Sequence, residues 1–113
     1  MENEVWKDIP DYEGLYQISN LGRVKALSKT IKGRKYEENI KAPSLGGKGY
    51  YRLPLCKNGK NKYFYIHRLV AKAFIPNIDN KPTVDHIDRN KLNNEVSNLR
   101  WATYKEQIAN RLL

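Results

Sequence analysis

Two stretches decide the fold of this chain: Val84-Asp85-His86-Ile87-Asp88 and Asn98-Leu99-Arg100-Trp101-Ala102-Thr103-Tyr104-Lys105-Glu106-Gln107. The first is a short apolar strand that ends in a carboxylate beside an imidazole. The second predicts a short strand that runs into a helix, because Thr103 and Glu106 have the spacing of a capping box. Strand, loop, strand and helix in this order can bring four polar side chains into one small space: Asp85, His86, Asn98 and Gln107.

The loop between the two strands is rich in asparagine, with Asn90, Asn93 and Asn94 before Asn98. Such side chains accept hydrogen bonds from nearby backbone, which can order a loop that has no regular ladder. Asn110 lies one helical turn beyond Gln107, so we expect it on the same face of the last helix.

The loop does not have the pattern of a calcium site, because it contains no glycine and places Ile87 and Arg89 at ligand positions. Zinc is also disfavoured, since the chain has only His67, His86 and one cysteine as soft ligands. A carboxylate, side-chain amides and phosphate oxygens suit a hard divalent ion, Mg²⁺ or Mn²⁺.

Bulk composition indicates one basic domain. A length of 113 residues fits a single domain, and a formal net charge of +9 indicates a polyanionic partner, nucleic acid or an anionic membrane surface. No apolar run approaches the roughly 20 residues that span a bilayer. The acidic, polar N-terminus does not resemble a secretory signal, and the lone Cys56 cannot form an internal disulfide. These features predict a soluble protein of a reducing compartment.

The first half of the chain predicts a small antiparallel β unit. Leu15–Ser19 and Arg23–Leu27 have strand character on either side of a glycine turn. Alternation places Val24 on one face and two cations on the other, either as a phosphate-contacting surface or as a solvated sheet face. Residues 28–49 predict a flexible basic loop with a strand near Asn39–Ala42.

The middle of the chain predicts a hairpin followed by a helix. Asn58-Gly59 separates two alternating runs in residues 50–66. Pro54 predicts an edge strand or an interrupted ladder, and Cys56 is expected to be a small buried residue. His67–Ile75 predicts a helix that Pro76 stops, with Leu69, Val70, Ala73 and Phe74 facing the core. A capping or packing role is favoured for His67, with a phosphate contact as the alternative.

Three motifs in order give a resemblance to a known family. Asp85-His86-Ile87-Asp88-Arg89-Asn90, followed by Asn93-Asn94 and Asn98-Leu99-Arg100-Trp101, resembles the HNH endonuclease motif of phage homing endonucleases. Glu4–Ile9, Tyr12–Tyr16 and Ser19–Val24 resemble the nuclease-associated (NUMOD-like) module that precedes it. Ile66–Ala71 is similar to the join between the two.

The resemblance implies an α+β fold in which a small antiparallel β N-terminal unit precedes a ββα-metal HNH finger. We expect residues 1–49 to form the first module with the basic loop and residues 50–113 to form the nuclease region, together in one compact unit. It also implies a role for each matched residue. His86 would be the general base and Asp85 a metal ligand. Asn98 would be the second catalytic residue, which holds the loop and helps to orient the site, and Gln107 would be the second metal ligand.

Two positions depart from the family pattern. Gln107 stands where the family has histidine or asparagine, with Asn110 as the reserve ligand. Arg89 stands where the family has glycine, which implies either strain in a turn or an added DNA contact. The expected contacts to double-stranded DNA are all basic: Arg23, Lys25, Lys48, Arg52, Arg68, Arg89 and Arg100.

The resulting hypothesis is a nicking or homing DNA endonuclease that uses one Mg²⁺ or Mn²⁺ ion. We expect a monomer or weak dimer, encoded by a phage and acting in the cytoplasm of its bacterial host. The main alternative is an HNH-like DNA-binding protein with weakened catalysis. A basic RNA-binding or membrane-surface protein is a third reading, against which the chain shows neither a basic amphipathic helix nor an aromatic RNA-binding motif.

Overall fold

The structure is a computed structural model, and it describes residues 3–112. Its strands and helices, in chain order, are β1 (Trp6–Asp8), β2 (Tyr16–Ser19), β3 (Val24–Ala26), β4 (Lys29–Ile31), β5 (Arg34–Tyr36), β6 (Asn39–Lys41), β7 (Ser44–Leu45), β8 (Tyr51–Lys57), β9 (Lys60–Tyr65), α1 (Ile66–Phe74), β10 (Thr83–His86), β11 (Leu99–Ala102) and α2 (Tyr104–Arg111).

The N-terminal half is an antiparallel sheet in the order β1-β2-β3-β6. The alternation in the third strand has the predicted effect, since Val24 is buried while Arg23 remains exposed. The predicted strand near Asn39–Ala42 is present as β6, which completes the sheet.

Residues 28–49 contain more regular structure than the expected flexible loop. β4 and β5 form a hairpin in which Ile31 pairs with Arg34. Its turn is Lys32-Gly33, with φ of 51° and 78°. Two consecutive positive φ values are typical of the two-residue turns that join antiparallel strands. The loop prediction was therefore wrong here, because the high lysine and glycine content concealed a turn of this type.

The predicted hairpin of residues 50–66 is present as β8 and β9, with Asn58-Gly59 at its turn. β8 is the central strand of a three-stranded sheet, but its pairing with β7 covers only Tyr51 and Arg52. Pro54 therefore lies where one side of the ladder has already ended, as a residue without an N–H requires. Cys56 is exposed, so its predicted burial was wrong. Strand alternation buries Leu53 and Leu55 and turns Cys56 outward.

Both halves contribute to one hydrophobic core. Ile9, Ile18 and Val24 from the N-terminal sheet are in the same buried cluster as Leu53 and Val70. Leu69 and Val70 of α1 are buried and Ala73 and Phe74 are partly buried, as predicted. The division of the chain at residue 49 stays a prediction. Neither helix within residues 3–112 is long and apolar enough to cross a membrane.

The C-terminal part is a β-hairpin followed by a helix, which confirms the α+β class and the ββα order. β10 and β11 pair antiparallel, with Asp85 opposite Arg100. The predicted capping box starts α2: the Thr103 hydroxyl accepts from Glu106 N at 3.1 Å, and the Glu106 carboxylate accepts from Thr103 N at 2.9 Å. Trp101 anchors the hairpin, because its indole N–H donates to Ile75 O at 2.8 Å.

Candidate active site

The strand β10 ends in two buried polar residues, Asp85 and His86, which are 8% and 4% exposed. They line a small cavity of about 80 Å³ together with Gln107 and Asn110 of α2. The predicted convergence of the first strand and the last helix is therefore present. These side chains are about twenty residues apart in the sequence, but they line the same small cavity. The reason is that the β10–β11 hairpin folds α2 back over β10.

The imidazole of His86 has a fixed hydrogen-bond partner. Its Nε2 lies 2.8 Å from Oδ1 of Asn94, which is itself buried. An amide oxygen only accepts, so Nε2 is the nitrogen that carries the proton. Neutral His86 then has its lone pair on Nδ1, which is the state a general base requires.

Burial lowers the pKa of His86. The Asn94 hydrogen bond and the Asp85 and Asp88 carboxylates act in the opposite direction, and Lys91 lowers the pKa further. The net direction favours the neutral imidazole at neutral pH. Burial thus keeps the ring in the unprotonated form, which is the form that a general base must have.

The carboxylate of Asp85 is held from two sides. Arg100 donates to Oδ2 through Nε at 3.2 Å and Nη2 at 3.1 Å. Asn110 donates to the same oxygen at 3.0 Å. Within residues 3–112, the hydrogen bonds to this carboxylate end on Oδ2, which leaves Oδ1 as the oxygen available to a cation.

The two amides of α2 have different surroundings. Asn110 is buried, and its amide nitrogen also donates to His86 O at 3.0 Å. Gln107 donates through its amide nitrogen to Val84 O at 3.2 Å. Asn110 therefore fixes the Asp85 carboxylate and the end of β10. Gln107 is held at the cavity wall by its amide nitrogen, so its amide oxygen takes no part in the bond to Val84.

Asn98 is not among the residues that line the small cavity, and its side chain holds the loop. Its amide oxygen accepts from Asp88 N at 2.9 Å, and its amide nitrogen donates to Asp88 Oδ1 and Asn93 O, both at 2.9 Å. The backbone of Ile87 also donates to Asn98 O at 2.8 Å. These contacts agree with a role in loop structure and place Asn98 away from the lining of the cavity.

The predicted DNA-contacting residues fall into two groups. Lys48 and Arg68 line a larger cleft of about 550 Å³, which shares Gln107 with the small cavity. Arg89 lines the small cavity, and Arg100 is paired with Asp85. The remaining three lie on aromatic faces elsewhere: Arg23 and Lys25 over Trp6, and Arg52 over Tyr63.

Sequence reasoning missed several residues at the site. Asn94 is the partner of His86, yet nothing in the sequence distinguishes it from the other loop asparagines. Lys91 and Arg111 line both cavities. Tyr50 stacks near His86 at a ring-centroid distance of 5.8 Å, and its place beside a run of glycine and lysine gave no signal.

The N-terminal module contacts the finger loop directly behind Asn94. Val96 N donates to Asn20 O at 2.8 Å. Gly22 has a φ of +89°, and a Cβ at this position would lie 2.9 Å from Cβ of Asn94. Glycine is thus required both by the backbone conformation and by the close approach to the residue that orients His86.

The donor set at the cavity fits a hard divalent ion better than zinc. Residues 3–112 contain no group of three or more histidine, cysteine, aspartate or glutamate side chains that could hold a metal ion. One carboxylate with neighbouring amides is a poor zinc site. It suits Mg²⁺ or Mn²⁺, which retain several waters and take further oxygen ligands from a bound phosphate.

Two family models match the chain in succession. The NUMOD4 motif matches residues 4–56, and a model described as HNH endonuclease matches residues 64–108. The chain thus combines a NUMOD4 motif with an HNH endonuclease region. The resemblance drawn from the sequence is thereby confirmed for both modules.

Most of the chain aligns with HNH endonucleases of phages. The chain is 42% identical over 109 residues to the DNA endonuclease I-HmuI of Bacillus phage SP01, and the alignment covers 95% of this chain and 57% of that protein. It is 35% identical over 101 residues to the H-N-H endonuclease F-TflII of Escherichia phage T5, covering 88% and 48%.

A solved structure of I-HmuI, described as DNA binding and cleavage by the HNH homing endonuclease, superposes with a TM-score of 0.79. The match has 43% sequence identity and covers 99% of this chain and 58% of that one. The chain therefore spans between 48% and 58% of the length of these relatives.

Proposed function

We propose that this chain is a metal-dependent DNA endonuclease, in which His86 activates the water that attacks a phosphodiester. The observation that carries the proposal is the 2.8 Å contact between His86 Nε2 and Asn94 Oδ1, which leaves Nδ1 as the base of a residue that lines the same cavity as Asp85. The names of two relatives, a DNA endonuclease and an H-N-H endonuclease, support the same class of reaction.

The chain's own groups account for the proton transfer. Nδ1 of His86 takes one proton from water as the water oxygen forms its bond to phosphorus, and the bond from phosphorus to the departing sugar oxygen breaks. The imidazolium that results keeps its Nε2–H bond to Asn94, so the ring does not turn during the reaction. Burial disfavours this charged form, which favours rapid return of the proton to solvent.

Asp85 and Gln107 are the proposed metal ligands, through Oδ1 and the amide oxygen. A divalent ion bound there would polarise the phosphate and stabilise negative charge on the departing oxygen. Asn110 is assigned a supporting role, because its amide nitrogen, and not its oxygen, faces Asp85. Mg²⁺ and Mn²⁺ both fit this oxygen donor set.

Double-stranded DNA is the proposed substrate. The net charge of +9 supplies attraction to phosphate, and the basic residues beside the cavity place part of that charge where a strand would pass. One site per chain predicts a nick in one strand by a monomer or weak dimer. The phage origin of the relatives supports action in a bacterial host.

A second candidate function is DNA binding with weakened catalysis. One argument for it is the ion pair between Arg100 and Asp85, in which one oxygen of the proposed metal ligand is already bound to a guanidinium. The other is that Gln107 stands in place of the family's histidine or asparagine.

One experiment separates the two candidates. Supercoiled plasmid is incubated with the protein and Mg²⁺ or Mn²⁺, beside Asp85→Asn, which keeps the side-chain volume and one acceptor oxygen while removing the charge. The endonuclease predicts metal-dependent nicking that Asp85→Asn reduces by at least about a hundredfold. Equal DNA binding with no nicking by either protein would support the weakened form.

Gln107→Ala and Asn110→Ala test the assignment of the second ligand. Loss of Gln107 is expected to weaken the affinity for Mn²⁺ about tenfold while leaving the melting temperature nearly unchanged. Loss of Asn110, a buried residue with two hydrogen bonds, is expected to lower the melting temperature as well. The reverse pattern would make Asn110 the ligand.

A further inference from the structure

The larger cleft lies beside the reaction centre and is open to solvent. It has a volume of about 550 Å³ and is lined by Tyr50, Tyr65 and His67, whose rings pack against one another. Its basic lining residues are Lys48, Arg68, Lys91 and Arg111. Because it shares Gln107 and Arg111 with the small cavity, a DNA strand reacting at His86 would continue through this cleft.

His67 is buried at the base of the cleft and contacts His86 directly. It is 6% exposed, and its ring centroid lies 5.0 Å from that of His86. Tyr50 stacks on His67 at 4.8 Å with an interplanar angle of 26°. His67 does not cap α1, since the N-cap of that helix is Tyr65 and it has no side-chain cap bond. The alternative of helix capping is therefore excluded.

The hydrogen bonding of His67 is incomplete. Among residues 3–112, its Nδ1 is sealed from solvent and has no hydrogen-bond partner. A buried N–H without a partner costs more than an unused acceptor lone pair. The favoured neutral tautomer thus has a bare Nδ1 and a proton on Nε2. Since His67 also lines the cleft, Nε2 is the ring nitrogen that can face it.

Burial, together with the nearby His86 and Arg68, lowers the pKa of His67 to about 3. The ring is therefore neutral under physiological conditions, and its N–H is a fixed donor without a charge. Arginine and lysine around it supply the charge.

We propose that the cleft is a subsite for the DNA phosphate that neighbours the reacting one, and that His67 donates its Nε2–H to an oxygen of that phosphate. Arg68 supplies the charge at the same subsite. His67 would thus set the position of the strand relative to Nδ1 of His86. This inference rests on the proposal that DNA is the substrate.

Three substitutions at His67 distinguish a donor from a packing residue. Glutamine carries its amide nitrogen near the place of Nε2, asparagine carries it near the place of Nδ1, and phenylalanine keeps the ring without a donor. Affinity for a DNA duplex is measured with EDTA present, so that no cleavage occurs. The melting temperature of each variant is measured beside it.

The subsite predicts that His67→Phe and His67→Asn lower DNA affinity about tenfold, the effect of losing a hydrogen bond to a charged group, and that His67→Gln retains most of the affinity. Arg68→Gln serves as the charged comparison and should reduce the dependence of affinity on salt, whereas His67→Phe should leave that dependence unchanged.

Wild-type affinity in a folded His67→Phe variant would overturn the inference and leave the proposed function intact. Equal losses in the glutamine and phenylalanine variants would also overturn it. If the wild-type protein does not bind DNA, the proposed function fails and the subsite fails with it.

Discussion

Arg100 and Asp85 face each other across the β10–β11 ladder, and the guanidinium places two nitrogens 3.2 and 3.1 Å from Oδ2 of the carboxylate. The same oxygen is the acceptor for Asn110. The carboxylate that would bind a metal ion therefore already has a cation beside it. Arg100 orients the Asp85 carboxylate and at the same time competes electrostatically with a divalent ion.

Arg100→Gln is predicted to raise the affinity for Mn²⁺ by about threefold to tenfold, because a partly exposed ion pair contributes on the order of 1 kcal/mol. The measurement is a Mn²⁺ titration of the free protein, which does not depend on cleavage. Arg111→Gln is the matched control. It removes one positive charge from the small cavity that Asp85 also lines, but within residues 3–112 Arg111 has no hydrogen bond to Asp85. Equal changes in both variants would mean that general charge, and not the ion pair, limits metal binding.

Asn94→Ala is predicted to lower the single-turnover nicking rate by about a hundredfold, because His86 loses the acceptor that fixes its tautomer. Asn94→Asp keeps an acceptor and should retain much more activity. A plasmid nicking assay at saturating protein reports the rate. If Asn94→Ala nicks as fast as the wild type, Asn94 is only a structural residue of the loop.

The pH dependence of nicking follows from the lowered pKa of His86. The base is active when neutral, so the rate should fall only as the pH drops through a pKa that lies below the value of about 6.5 for a free imidazole. In Asn94→Asp the added carboxylate favours the protonated ring, so the acid limb should move to higher pH. An acid limb above pH 6.5 in the wild type would contradict the proposed burial effect.

Gly22→Ala is predicted to disturb the active site from the N-terminal module. A Cβ there would lie 2.9 Å from Cβ of Asn94, and the φ of +89° is unfavourable for alanine. Gly14→Ala is the control, because Gly14 has a φ of +79° with no atom within 4 Å of the added carbon. Both variants should lose about 1–2 kcal/mol of stability from the positive φ, and Gly22→Ala should lose more because of its contact with Asn94. Only Gly22→Ala should lose nicking activity at temperatures where the protein is folded.

Local signals were sufficient for much of the fold. Asn58-Gly59 located the hairpin, Thr103 and Glu106 located the start of α2, and Pro76 marked the end of α1. Each is a short-range effect of backbone conformation or capping, which acts before tertiary contacts exist. The β4–β5 hairpin was missed because Lys32 adopts a positive φ, which a lysine in the sequence does not predict.

The site was predictable only in part, because its partners are set by register and not by residue type. Asp85 and His86 were identified from their place at the end of a strand. The bond from His86 to Asn94 depends on the path of a loop with several asparagines. Opposite placement of Arg100 and Asp85 follows from the β10–β11 register, which the sequence does not specify residue by residue.

The central claim is that His86 is the general base, and chemical rescue tests it most directly. His86→Ala leaves a space beneath Tyr50 and beside Asp85 in which an added imidazole can bind. We predict that this variant has lost metal-dependent nicking of supercoiled plasmid. Added imidazole should restore part of the nicking rate, in proportion to the concentration of neutral imidazole. Undiminished nicking by His86→Ala without imidazole would contradict the account.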